Sequence, residues 1–282
     1  MKSRKFGPTS YQIPVIGQGT WQIPESGKDR DEAIKSLQRG FELGMVHIDT
    51  AEMYGHAEEV IREAFKPVSR DKVFLVSKVL PTNASYLGTI SALERTLKRL
   101  GTDYLDCYLL HWRGDRPLAE TLGAFEKLEE EGKIRSFGVS NFDTEDLQEA
   151  LDSLSKGKIA CNQVMYNLKE RGIERRLMQF CQEKNIAVVG YTPYGEIPDA
   201  NSNEYRILSN IAAKHQATVR QVILAFLTRL EGTFSIPKAA KPLHVEENAG
   251  ADPNKLKLDV DDLKEIDSIY PVPQKDVPLA VL

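Results

Sequence analysis

Along the chain, short apolar runs alternate with stretches in which apolar residues recur every three or four positions. The runs are Val15–Gly19, Met45–Asp49, Val73–Lys78, Tyr104–His111, Ile134–Ser140, Ala160–Gln163, Ile186–Tyr191 and Phe234–Pro237. Several are apolar over most of their length, as strands covered on both faces require. Between them, Ile34, Leu37 and Phe41 form one stripe ahead of Gly44, and Ile90, Leu93, Leu97 and Leu100 another ahead of Gly101. Leu118, Leu122, Phe125 and Leu128 precede Gly132, and Leu147, Leu151 and Leu154 make a fourth stripe. Such stripes predict helices with one buried face, and a following Gly predicts a left-handed C-cap. Strand followed by helix, eight times over, calls for a parallel sheet, and eight units suit a closed barrel. The expected fold is α/β, a single (β/α)8 TIM barrel over residues 1–282. Lys2–Phe6 and Tyr11–Ile13 read as an N-terminal hairpin across the barrel floor, Asp259–Ile269 as a short C-terminal helix, and Pro271–Leu282 as an irregular tail.

Composition leaves that picture intact and removes other functions. The 282 residues are 41% hydrophobic and 28% charged, which suits a globular protein with a large core. Lys plus Arg number 37 against 41 Asp plus Glu, a net charge of −4 with no basic block, so no nucleic-acid partner is expected. Cys107, Cys161 and Cys181 form no CxxC and read as reduced thiols, with Cys107 and Cys161 as core packing. No run approaches the ~20 apolar residues of a membrane span, and the N-terminus lacks the apolar stretch of a signal peptide. The expectation is a cytoplasmic protein, a monomer or weak oligomer, with no membrane partner. No Cys/His spacing suggests a metal.

In a barrel of this kind, chemistry belongs at the C-terminal ends of the strands. There the chain places Trp21, Asp49 with Tyr54, Lys78, His111, Ser140 with Asn141, Gln163, Tyr191 and Lys238. A Tyr can protonate a developing alkoxide, but with an ordinary pKa of ~10 it is a weak acid. A neighbouring ammonium is expected to lower that pKa, and a carboxylate to keep the ammonium charged. A His can orient a carbonyl oxygen. Asp49, Tyr54, Lys78 and His111 are thus a candidate set for carbonyl reduction that lacks only a hydride source.

Seven segments carry a family resemblance: HIDTAEMYG (His47–Gly55), VFLVSK (Val73–Lys78), YLLHW (Tyr108–Trp112), GVSNF (Gly138–Phe142), NQVMYN (Asn162–Asn167), GYTPYG (Gly190–Gly195) and IPKAAKP (Ile236–Pro242). In order and spacing they resemble the aldo-keto reductases, of a bacterial or archaeal type related to diketogulonate reductases. The resemblance implies a catalytic tetrad of Asp49, Tyr54, Lys78 and His111, with Tyr54 as general acid. It implies NADPH lying across the barrel mouth and a small-molecule carbonyl substrate. Ser140, Asn141 and Gln163 would hold the carboxamide, and Tyr191 would stack on the nicotinamide. Thr192, Pro193, Tyr194, Gly195 and Glu196 would pass over the pyrophosphate. Ile236, Lys238, Ala239, Ala240 and His244 would hold the adenosine end, with Glu247 and Asn248 near the adenine. Gly19, Thr20, Trp21, Met53, Leu80 and Trp112 would line the junction of cofactor and substrate, together with Tyr54 and His111.

The same resemblance exposes departures. Ala239 stands where Ser or Thr is expected, and His244 where Arg is common. Weaker contacts to a 2′-phosphate imply a modest NADPH preference with NADH also usable. Leu80 replaces a large aromatic of some relatives, which widens the pocket. Arg113-Gly-Asp-Arg116 after Trp112 reads either as a device for acidic carbonyl compounds or as a solvated Arg–Asp loop. Gly17-Gln-Gly19 begins like a dinucleotide fingerprint, but Gln22 occupies the third glycine position and Pro24 follows, so it reads as the first strand end. His47 reads as a hydrogen-bonded structural residue, His56 and His215 as loop or helix surface, and Glu129–Glu131 as a solvated face. Two competing readings stand beside the reductase. One is an NADPH-binding redox-sensing regulatory subunit, against which the missing N-terminal extension counts. The other is an alcohol or sugar dehydrogenase working oxidatively.

Overall fold

In a computed structural model that describes residues 1–281, eight parallel strands form the centre. An antiparallel hairpin comes first, β1 (Ser3–Lys5) on β2 (Gln12–Pro14), with Arg4 opposite Ile13. The barrel strands follow: β3 (Gln18–Gly19), β4 (His47–Asp49), β5 (Phe74–Val79), β6 (Cys107–Leu110), β7 (Phe137–Ser140), β8 (Ile159–Met165), β9 (Ala187–Tyr191) and β10 (Thr233–Ser235). Neighbours in sequence are neighbours in the sheet. The ring is closed by Gly17 N to Ser235 O at 2.8 Å, Ser235 N to Val15 O at 2.8 Å and Gly19 N to Pro237 O at 3.1 Å. Gly19 is required there, because a Cβ would lie 2.6 Å from the Ile236 carbonyl oxygen. The apolar run expected from Val15 is therefore only partly strand: its first residues serve as the seam with the last strand.

The helices are α1 (Gly27–Glu42), α2 (Ala57–Ala64), α3 (Tyr86–Leu100), α4 (Leu118–Glu130), α5 (Thr144–Asp152), α6 (Leu177–Glu183), α7 (Asn203–Lys214), α8 (Val219–Leu227), α9 (Pro242–Gly250) and α10 (Val260–Ile269). Their buried stripes, such as Leu118, Leu122, Phe125 and Leu128 on α4, pack onto the outer face of the barrel. Gly101 ends α3 in the left-handed conformation at φ +66°, as its place after the stripe predicts. The fourth stripe is shorter than expected: α5 stops at Asp152, so Leu154 lies beyond it. Two helices, α7 and α8, follow β9 where one was expected.

A second apolar cluster fills the barrel floor. Phe6 from the hairpin turn meets Phe74 edge-on at 5.0 Å and Phe234 at 5.4 Å, and Cys107 and Cys161 are buried in the same cluster. Arg4 clamps the hairpin to the far end of the chain by donating to the carbonyls of Thr228 at 2.8 Å and Leu230 at 2.7 Å. At the other end, α10 opens with a capping box of Asp259 and Asp262. The tail then crosses back toward the barrel mouth, held where Arg175 donates to Asp276 at 2.6 Å and to the Pro273 carbonyl at 2.8 Å. Leu282, the end of the expected tail, lies outside the described residues. Among those residues, no helix is long and apolar enough to cross a membrane.

Candidate active site

The strand ends converge on a cleft of about 740 Å³ at the barrel mouth. Of the expected site residues, Gly19, Thr20, Trp21, Asp49, Met53, Tyr54, His111, Trp112, Ser140, Asn141 and Gln163 line it. So do Tyr191, Thr192, Pro193, Tyr194, Gly195, Ile236 and Lys238. Lys78 is fully buried beneath its wall. Leu80, Glu196, Ala239, Ala240, His244, Glu247 and Asn248 are not in the lining; Glu196 instead pairs with Lys169 at 2.7 Å. Gln22 and Val281 line the cleft without being expected to, and Arg113 lines it as one of its two readings requires. Gln22 follows the flagged Trp21, and Arg113 the flagged Trp112. No local pattern distinguishes Val281.

The centre of the cleft is a chain of buried polar contacts. Asp49 ends β4 opposite Val76, and Lys78, two residues further along β5 and on the same face, reaches back to it with Nζ 2.5 Å from Oδ1. Lys78 also donates to the Thr50 carbonyl at 2.9 Å and reaches the Tyr54 hydroxyl at 3.5 Å. On its other side that hydroxyl lies 3.5 Å from His111 Nε2. Gln163 donates from Nε2 to Asp49 Oδ2 at 2.7 Å, and Thr20 donates to the Asp49 carbonyl at 2.9 Å. Both carboxylate oxygens of Asp49 are thus hydrogen-bonded, which a buried charge requires.

Protonation follows from this packing. Burial opposes charge on Lys78, but the Asp49 carboxylate and Tyr54 outweigh it and hold the ammonium pKa above its ordinary value. Burial raises the Tyr54 pKa, and the opposing pull of Lys78 does not cancel it. The expected lowering of the phenol therefore does not occur: at this depth, desolvation of the phenolate wins. Tyr54 is held as a neutral phenol. His111 is pushed down to about 3, first by burial and then by the Lys78 charge, so its imidazole is neutral.

Around this centre, Asn141 and Thr192 take left-handed backbone conformations at φ +60° and +50°. Such geometry is uncommon, and costly for a β-branched Thr. The two turns bring Tyr191 and Asn141 together, the phenol donating to Oδ1 at 2.8 Å, while Asn141 Nδ2 donates to the His111 carbonyl at 3.1 Å. Tyr194 donates to Asn248 Oδ1, whose Nδ2 is buried without a partner among the described residues. Trp21, Met53 and Trp112 form an apolar rim, each more than a third exposed. Arg113 is engaged by Glu149 at 2.9 Å and by the carbonyls of Gly114 and Arg116.

The remaining histidines diverge from each other. His47 is buried on the floor, but neither ring nitrogen has a hydrogen-bond partner among the described residues, so it is a packing residue and not a hydrogen-bonded one. Its ring meets Phe74 edge-on at 5.7 Å. His56 precedes α2 with its side chain exposed, whereas His215 is tied to Asp262 at 2.7 Å.

Comparison with known proteins gives one consistent result. A family model described as the aldo/keto reductase family matches residues 15–271. Methylglyoxal reductase of Escherichia coli is 42% identical over 266 residues, 93% of each chain. Glyoxal reductase of Bacillus subtilis is 35% identical, over 92% of this chain and 89% of its own. A crystal structure of an aldo/keto reductase from Klebsiella pneumoniae with NADP and acetate has a TM-score of 0.92 at 43% identity, covering 100% of this chain and 99% of that one.

Proposed function

The chain belongs to the aldo/keto reductase family, and on that premise we propose that it reduces aldehydes or ketones to alcohols with NADPH, Tyr54 delivering the proton. The observation that carries this reading is the Tyr54 hydroxyl at the cleft wall, 3.5 Å from both Lys78 Nζ and His111 Nε2. A phenol kept neutral by burial has its proton available at every ordinary pH. As the carbonyl oxygen gathers charge, that proton moves to it, and the Lys78 ammonium stabilises the phenolate left behind. The neutral His111 imidazole orients the oxygen, and Asp49, fixed by Gln163, keeps the ammonium in place. Residues 1–281 act in this as one barrel unit.

The residues present fit a bound dinucleotide. Asn248 Nδ2, a buried donor without a partner, suits an adenine ring nitrogen, and Lys238 supplies a cation inside the cleft. NADPH, when bound, supplies the hydride. Asn141 accepts from Tyr191 at Oδ1 and donates one Nδ2 hydrogen to the His111 carbonyl, so a second hydrogen and lone pair would remain for the carboxamide beside Ser140 and Gln163. Tyr191 would stack on the nicotinamide and Thr192–Gly195 would cover the pyrophosphate, whereas Glu196 lies outside the cleft in its pair with Lys169. Ile236 and Lys238, which line the cleft, would begin the adenosine end, and Ala239, Ala240, His244 and Glu247 would complete it beyond the cleft. With Ala239 and His244 at the positions that would meet a 2′-phosphate, the expected preference for NADPH over NADH is modest, below about 10³-fold, or 4 kcal/mol.

The similarity to methylglyoxal and glyoxal reductases, with the apolar rim of Trp21, Met53 and Trp112, supports small uncharged α-dicarbonyls as substrates. Arg113 does not favour acidic ones, because Glu149 already neutralises its guanidinium. The test is steady-state reduction of methylglyoxal by the wild type and by Tyr54→Phe, with NADPH binding followed by fluorescence. The variant is expected to lose about 10³-fold in kcat while its NADPH Kd stays within about threefold. Turnover near that of the wild type would refute the assignment of the acid.

A further inference from the structure

Tyr54 is carried by a loop, residues 50–56, and not by a strand. Its own hydroxyl contacts do not fix it, since both are 3.5 Å, the outer limit of a hydrogen bond. The backbone turns on itself there, Tyr54 N donating to Ala51 O and Ala57 N to Tyr54 O, both at 3.0 Å, and what sets that turn against β5 comes from outside it. The backbone ladder to the neighbouring strand gives out along it: Thr50 N donates to Val76 O at 2.9 Å, then Glu52 N to Lys78 O at a longer 3.3 Å. Where the ladder ends, a side chain takes over. Glu52 Oε1 accepts the Leu80 N–H at 2.7 Å and the Asn83 Nδ2–H at 3.0 Å. This carboxylate is only 7% exposed, and the nearest cation, Arg95, lies 3.8 Å from Oε2. A carboxylate buried against two neutral donors, its one ion pair a long contact to a half-exposed guanidinium, is an expensive way to fill space unless its geometry matters.

The geometry is specific. Glu52 lies two residues before the phenol, and Leu80 two residues after the ammonium, so one carboxylate ties together the two segments that carry the reacting pair. We infer that Glu52 is a positioning residue that fixes the Tyr54 hydroxyl relative to Lys78. The inference rests on the reading of Tyr54 as proton donor. From the opposite side, Glu25 accepts the His56 N–H at 2.9 Å, so the loop is pinned at both ends with the phenol between the pins. Proton transfer is sensitive to displacements well under 1 Å, so loosening one pin acts on turnover more than on binding.

The experiment compares Glu52→Ala, Glu52→Gln, Tyr54→Phe and the Glu52→Ala/Tyr54→Phe double variant in methylglyoxal reduction, with NADPH affinity measured by fluorescence. Glu52→Ala is expected to lower kcat about 10- to 30-fold, leaving KM and NADPH Kd within about threefold. Glu52→Gln keeps an acceptor oxygen for Leu80 and Asn83 and returns kcat to within about threefold of the wild type. The double variant should be no slower than Tyr54→Phe alone, because Glu52 acts through the phenol. Asn83→Ala removes one donor while the carboxylate stays, and should lower kcat about two- to fivefold; it carries the test if Glu52→Ala does not fold. A Glu52→Ala kcat within twofold of the wild type, or a double variant slowed by the full single-variant factor below Tyr54→Phe, overturns the inference. If Glu52→Ala does not fold, an unchanged kcat in Asn83→Ala overturns it. Wild-type turnover in Tyr54→Phe fails separately, since it removes the proton-donor reading itself.

Discussion

His47 and His111 sit at opposite ends of the same barrel and are perturbed in the same way. Burial comes first for each, the Lys78 charge second, and both pKa values are pushed down to about 3. His47 lies on the floor among Phe6 and Phe74 with no polar partner among the described residues, whereas His111 opens on the cleft beside the Tyr54 hydroxyl. A shifted pKa therefore marks a desolvated group near a buried cation and does not by itself mark chemistry. Access to a reacting oxygen separates the two residues. The mouth is polar because its groups need something outside the fold. The floor is apolar because nothing enters it.

The sharpest way to break this contrast is to replace each imidazole with Leu. His111→Leu is expected to lower kcat/KM for methylglyoxal about 10²-fold. His47→Leu should leave it within about threefold and unfold in urea at the same or a higher midpoint, since it removes two unsatisfied ring nitrogens. Equal losses in the two variants would abolish the distinction between mouth and floor.

A second, smaller effect should instead be shared. Between pH 6.5 and about 3 the unfolded chain protonates both histidines while the native state does not. Stability is therefore complete above pH 6.5 and falls as the pH drops, by about 1.4 kcal/mol per unit for each histidine. Urea unfolding at pH 7, 6 and 5 should show each Leu variant with a flatter decline than the wild type, by similar amounts. A change of slope in only one would mean that the two sites are not equivalently desolvated. Smallest of all is the rim. Arg113→Ala should alter kcat/KM for neutral and acidic aldehydes by the same factor, about twofold, and a selective loss for the acidic ones would show its charge to be available to substrate.

The mouth is far more legible in sequence than the rim, for a physical reason. A polar residue closing an apolar run marks the mouth end of a strand, so local pattern places Asp49, Lys78, His111 and Ser140 within one residue of such an end, whereas Gln163 is interior to β8, which runs on to Met165. Val281 has no such pattern, because its position depends on the tail being held by Arg175 and Asp276, 101 residues apart. Glu52 reads in sequence like any solvated acid in a loop, since only the fold brings Leu80 and Asn83 to it. The direction of the Tyr54 pKa is illegible for a related reason: the sequence names the neighbouring ammonium, but the depth of burial that outweighs it is a property of the assembled cleft. Helix ends marked by Gly101 and Gly132 are readable, while the pair of helices after β9 is not.

The seam of the barrel also has a consequence for how the protein comes into being. Gly19 meets Pro237, and Arg4 meets Thr228 across 224 residues of chain. These contacts cannot form until nearly all of the polypeptide has been synthesised, and closing so long a loop slows folding. Gly19 and Lys238, bridge partners where the seam meets the cleft, become neighbours only in that closing event. A nascent or truncated chain that has built its first six units holds Asp49, Tyr54, Lys78 and His111 with no closed mouth around them. Activity then arrives late and all at once, so regain of turnover during refolding reports on the last strand docking and not on the tetrad taking shape.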